Sequence, residues 1–108
     1  MNQGIRIIYP VTDLAQAKAN FHKFLGVEPY VDSPYYVGFR VAGQEIGLDP
    51  NRHKAGMTVY FPVDTIKQSL QSLLVAGPQI QQDIKDIGGA GLIASVIDAD
   101  GNIIGLLQ

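Results

Sequence analysis

The chain contains no cysteine, only eight Lys and Arg together, and no apolar run approaching the length of a membrane span. Each shortage excludes something. Without cysteine there is no disulfide framework, no thiolate metal site and no thiol nucleophile. Eight basic residues stand against ten acidic ones, for a net charge of −2. They form no cluster of the kind that makes a basic face for nucleic acid. A bilayer-spanning helix needs roughly 20 apolar residues in succession, so no membrane partner is expected. Residues 1–10 lack a basic start followed by an apolar stretch, so no signal peptide is expected and a cytoplasmic location is.

What is present is a 108-residue chain of 46% hydrophobic content, the size of one domain with a single modest core. Its two halves look alike. Tyr9-Pro10-Val11-Thr12-Asp13-Leu14 opens one and Phe61-Pro62-Val63-Asp64-Thr65-Ile66 opens the other. Both run into a helical pattern that stops at a glycine, Gly26 or Gly77. Gly43-Gln44-Glu45-Ile46-Gly47-Leu48 closes the first half, and Gly101-Asn102-Ile103-Ile104-Gly105-Leu106 closes the second. An internal repeat outranks local signals because it sets the architecture.

Residues 5–11 read as a strand, and Asp13, or Thr12 before it, as the cap of a helix with Leu14, Ala17, Phe21 and Phe24 on its buried stripe, Leu25 beside them. Residues 28–32 suggest an edge strand and Ser33-Pro34 a turn. Residues 35–41 alternate with period two, which puts Val37, Phe39 and Val41 on one face and Tyr36, Gly38 and Arg40 on the other. A strand at 44–49 follows. In the second half, strands are expected at 57–63, 79–86, 92–98 and 102–107. Asp64 or Thr65 caps a helix that buries Ile66, Leu70, Leu73 and Leu74. Gly88 to Gly91 reads as a mobile loop, and Asp100-Gly101 as a tight turn.

The expected fold is α+β: two tandem βαβββ repeats forming a curved, mostly antiparallel sheet, with a concave cleft and the helices on the outer face. Repeat one covers about 5–49, a connector about 50–56 and repeat two about 57–108. The cleft is the default ligand site.

This layout resembles the vicinal oxygen chelate superfamily, the fold of glyoxalases, bleomycin resistance proteins and extradiol dioxygenases. The resemblance rests on Ile8-Tyr9-Pro10-Val11-Thr12-Asp13-Leu14, on Phe24-Leu25-Gly26 and on Asp98-Ala99-Asp100-Gly101-Asn102 leading into Ile103-Ile104-Gly105-Leu106. It implies a divalent metal held by His or Glu from the first and last strands of each half, chelating vicinal oxygens of a substrate. Counted from Asp13 and Asp64, those positions fall on Arg6, Thr58 (Met57 if shifted by one), Gly47 and Gly105. Glycine has no donor, and arginine is a permanent cation. The resemblance is therefore to metal-free binding members, with no metal and no cofactor expected and two glycines opening the floor of the site. Binders of basic drugs in that superfamily use an acidic groove, and the balance here is only mildly acidic.

Arg6 has two readings: an anchor for an anionic or carbonyl-bearing ligand through its forked donors, or a structural pair with Glu45 or Asp49. Arg40 and Tyr36 could wall a ligand; otherwise Arg40 is solvated. Tyr60, two residues beyond Thr58 on the same face, either closes the cleft or packs in the core. Glu45 and Asp49 could supply a general base, with Glu45 the candidate catalytic residue, or an alternative metal pair with the connector residue His53. His22 reads as a solvated helix residue. The ligand-binding set is thus Arg6, Tyr36, Arg40, Gly47, Thr58, Tyr60 and Gly105. Three functions follow from different classes: a metal-free small-molecule binder; a lyase, isomerase or dioxygenase with an atypical metal site or none; and an assembly module. Sheet edges point to a homodimer.

Overall fold

A computed structural model of the chain describes residues 4–51 and 56–108. Residues 1–3 and 52–55, and with them His53 and most of the expected connector, lie outside the described residues. The chain divides into two compact units, Met1–Thr58 and Val59–Gln108.

The first unit runs β1 (Arg6–Pro10), α1 (Leu14–Leu25), β2 (Val31–Asp32), β3 (Val37–Val41) and β4 (Gln44–Asp49). Asp13 is the N-cap of α1, its Oδ1 accepting from the Gln16 amide at 3.0 Å, which satisfies a donor that the first helical turn cannot. Gly26 ends the helix in the left-handed region at φ 74°, where a side chain would be strained. The two strands expected at 28–32 and 35–41 are shorter than the sequence suggests. The Ser33 hydroxyl oxygen accepts from the amides of Tyr35 and Tyr36 at 3.2 and 3.1 Å, so these residues belong to the turn rather than to β3.

The strands lie in the order β2-β3-β4-β1. β3 pairs antiparallel with β2 and β4, whereas β1 and β4 are parallel. The sheet is therefore mixed, with two of these three pairings antiparallel, in keeping with the mostly antiparallel sheet expected. The chain returns to β1 only after a helix and two further strands, and β4 arrives running the same way. Val37, Phe39 and Leu48 are buried under Leu14, Ala17, Phe21 and Leu25 of α1. Phe21 lies between Tyr9 and Phe39, at ring-centroid distances of 5.2 and 6.4 Å. Phe24, expected on this stripe, is 81% exposed. The stripe continues from Phe21 to Leu25, one full turn on, and leaves Phe24 on the flank.

β5 (Thr58–Pro62) begins on the last residue of the first unit, and the second unit continues through it to α2 (Ile66–Ala76), β6 (Gln79–Asp86), a 3₁₀ turn at Gly88–Ala90, β7 (Leu92–Ile97) and β8 (Ile103–Leu107). Its strand order is β5-β8-β7-β6, again with the first and last strands parallel. Thr65 is the N-cap of α2 but its side chain makes no capping bond. The Ile66 amide donates instead to Gln108 Oε1 at 2.7 Å. Ile66 and Leu70 pack on Ala94, Val96 and Leu106, with Leu73 and Leu74 at the margin. The chain is thus α+β, two helices on mixed sheet. No helix among the described residues is long and apolar enough to cross a membrane.

Candidate functional site

Alternation along β1, β3 and β4 sorts their side chains to two faces. One carries the α1 core. The other is fixed by register: Arg6 lies opposite Glu45 and Ile8 opposite Gly47, while Arg40 and Gly38 face the same two residues from β3. Glu45 is the hub of this second face. Arg6 Nε lies 3.3 Å from Glu45 Oε2, with the two side chains 22% and 13% exposed. This is an ion pair without hydrogen-bond alignment, since Nε is buried and aims its hydrogen at no acceptor. The Tyr30 hydroxyl donates to Oε1 and the Tyr36 hydroxyl to Oε2. The Arg40 guanidinium sits 4.4 Å over the Tyr30 ring, a cation–π arrangement.

Two glycines make this packing possible. A Cβ at Gly47 would overlap the Tyr36 hydroxyl and approach Ile8 Cδ1 to 2.7 Å. One at Gly38 would meet Tyr36 Cε2 at 3.2 Å and Tyr30 Cε1 at 3.3 Å. Burial first, and then the bond to Glu45, raises the Tyr36 hydroxyl well above its ordinary value of 10.0. The same two causes, in the same order, raise Tyr30. Both hydroxyls stay protonated donors at any ordinary pH.

The surroundings of β5, β7 and β8 are built otherwise. Thr58 is fully buried and donates to the Gly56 carbonyl at 3.4 Å. Tyr60, 2% exposed, lies over Gly105, where a Cβ would come within 2.5 Å of ring Cδ1 and 2.8 Å of Cγ. Ser95, opposite Gly105 on β7, is buried and donates to Gln81 Oε1. The open floor expected from Gly47 and Gly105 is therefore filled, by Tyr36 in one unit and Tyr60 in the other. An aromatic ring takes up the volume that glycine vacates.

The donor set does not suit a divalent metal. At the four positions the resemblance assigns, Arg6 is ion-paired, Thr58 is buried and bonded to backbone, and the two glycines are covered by rings. Asp49 Oδ1 accepts from the Asn51 amide at 2.8 Å, a turn role, and His22 Nε2 pairs with Glu28 at 2.7 Å on the surface. Among the described residues no three His, Cys, Asp or Glu side chains are grouped as metal ligands.

Arg6, Tyr36, Arg40 and Glu45 are thus brought together around one carboxylate. Gly47 belongs to the same cluster through Tyr36. In the second unit Tyr60 and Gly105 pack on one another. Tyr30 was not marked by the sequence. Counting by twos from Val31, which pairs with Gly38, assigns Tyr30 to the α1 face. It reaches Glu45 because it lies outside β2, and alternation carries no signal for that.

No family model matches the sequence, and no curated protein matches it. Solved structures do resemble it. A glyoxalase/bleomycin resistance protein/dioxygenase superfamily member from Vibrio splendidus superposes with a TM-score of 0.76 at 16% identity, covering 99% of each chain. A structure described as an NAD-dependent benzaldehyde dehydrogenase from Legionella pneumophila gives 0.78 at 17% identity, over 95% of this chain and 96% of that one. Methylmalonyl-CoA epimerase from Mycobacterium tuberculosis gives 0.63 at 18% identity, over 97% and 85%. At such identities the likeness concerns the fold and not the chemistry. The chain has the fold of the vicinal oxygen chelate superfamily, to which glyoxalases, bleomycin resistance proteins and extradiol dioxygenases belong.

Proposed function

We propose that this protein is a small-molecule binder that works without a metal, built as two copies of one βαβββ unit. Its ligand side is the sheet face of the first unit that turns away from α1. The observation that carries this reading is the Glu45 hub. Arg6, Tyr30 and Tyr36 converge on one carboxylate, with Arg40 stacked alongside, where the fold's enzymes would place metal ligands. A few convergent polar groups set among aromatic rings is the usual make-up of a ligand site. Glu45 already receives a hydroxyl on each oxygen, which leaves it poorly placed to take a proton from a substrate.

The homodimer expected from the sheet edges belongs to the same proposal, with β6 the terminal strand of its unit. Light scattering across concentration checks it: a mass of two chains is expected, and a single-chain mass throughout rejects it. The binding reading is tested by thermal shift against a chemically diverse library in the presence of EDTA. Ligands that raise the melting temperature with EDTA present, through preferential binding to the folded state, are expected. Stabilisation only when EDTA is replaced by a divalent metal would overturn the reading.

A further inference from the structure

Resting on that reading, the geometry points to the ligand class: we infer that the site takes a small carboxylate on a flat, ring-sized body, bound by the outward edge of the Arg6 guanidinium. A fixed organic cation stands where the fold's enzymes would use a metal ion's charge.

The Nε end of the guanidinium is buried against Glu45 Oε2 at 3.3 Å and aims its hydrogen at no acceptor. A guanidinium presents a planar fork whose paired N–H groups match the two oxygens of a carboxylate. With the Nε end pinned, the edge left over is that of the two terminal nitrogens.

The charge around Arg6 favours the same sign of ligand. Arg40 lies opposite Glu45 on β3, as Arg6 does on β1. Two guanidinium charges therefore meet one carboxylate, and that carboxylate is further stabilised by the hydroxyls of Tyr30 and Tyr36. The next carboxylate on this face, Asp49, is four residues along β4, about 13 Å away at the rise of a strand. It is occupied by the Asn51 amide. A cationic ligand would meet two like charges; a carboxylate meets a net positive field. The flat body follows from Tyr30, 45% exposed, with the Arg40 guanidinium 4.4 Å over its ring.

The test uses three probes of equal ring size and different charge: benzoate, benzamide and benzylammonium, titrated by NMR into the full-length protein with EDTA present. Benzoate is expected to bind at least about tenfold more tightly than benzamide, the discrimination one charge-assisted pair supplies, with benzylammonium weakest. Benzoate should shift the Arg6 side-chain Nε–Hε resonance. In Arg6→Gln the preference for benzoate over benzamide should fall to within about twofold. If Arg6→Gln does not fold, the Arg6 resonance in the natural protein decides alone. Equal binding of benzoate and benzamide, an unmoved Arg6 resonance, or no binding of any of the three overturns this inference. Hits of another charge class in the library screen would still uphold the binding function itself.

Discussion

On the face of β1, β3 and β4 that turns away from α1 stand Arg6, Arg40 and Glu45. At the matching register positions β5, β7 and β8 carry Thr58, Ile97 and Ile103. The matched glycines, Gly47 and Gly105, are both covered by a tyrosine, but from different places. Tyr36 comes from the turn before β3 and delivers a hydroxyl, whereas Tyr60 comes from β5, directly opposite its glycine, and delivers a ring. One strand order thus supports two unlike surfaces, one an ionic hub and one without a charged side chain at the matching positions. The difference is the reason for proposing the ligand side in the first unit. Buried charge is costly to maintain, and apolar packing would have served stability equally well.

Removing the hub should separate the two units most. Glu45→Ala leaves Arg6 without its counter-charge and two hydroxyls without their acceptor, and should cost about 2–4 kcal/mol in urea unfolding. Ile103→Ala, its counterpart, should cost about 1–2 kcal/mol, since a half-buried side chain loses less than a core one. Equal losses would mean that the hub is only loosely made.

The glycines come next. Gly105→Ala drives a methyl into the root of the Tyr60 ring, which has nowhere to swing, and should cost about 1–3 kcal/mol. Gly47→Ala meets the far ends of Tyr36 and Ile8 and should cost less. In a Tyr36→Phe background part of that cost should vanish, because the hydroxyl is gone while the ring Cζ and Ile8 Cδ1 still stand 2.7 Å from the new methyl, and a double-mutant cycle reads the coupling directly. No background change at Tyr36 should relieve Gly105→Ala.

Tyr36→Phe alone should cost about 1 kcal/mol at neutral pH. It should also alter the alkaline limb of the stability curve. The folded hydroxyl holds its proton above the unfolded value of 10.0. Its contribution is therefore full below pH 10 and is lost as pH rises beyond it, when only the unfolded state ionises. Stability of the natural protein should fall faster above that pH than stability of Tyr36→Phe.

The smallest effect belongs to the second unit. Bonds from the Asn102 amide, and then from neighbouring groups of the turn, lower the Asp98 carboxyl below its usual value. Its contribution is present above the unfolded carboxylate range and fades as pH falls through the folded value. Asp98→Ala should therefore narrow the acid dependence slightly and leave the alkaline side untouched.

Much of this was legible in the sequence because the signals are local. Asp13 and Gly26 bracket α1, and the alternation of Val37, Phe39 and Val41 against Tyr36, Gly38 and Arg40 assigns the faces of β3. Counting from Asp13 and Asp64 identifies four positions without metal donors. The pairing of Arg6 with Glu45 was one of two readings left open, because burial decides between anchor and partner and burial is not local. The filled glycines and the role of Tyr30 were hidden for a related reason. Both depend on which ring reaches across a neighbouring strand, and that depends on where a strand begins. A two-residue β2 and a turn that absorbs Tyr35 and Tyr36 leave no periodic trace.

The most direct measurement is metal content by elemental analysis, on untagged protein purified without chelator and again after incubation with nickel, zinc, manganese or iron. The account predicts less than roughly a tenth of an equivalent of any of them under both conditions, because a divalent ion needs about four donors and the assigned positions offer none. Near-stoichiometric uptake of one metal would contradict it, and would return Glu45, Asp49 and His53 to consideration as ligands of an enzyme.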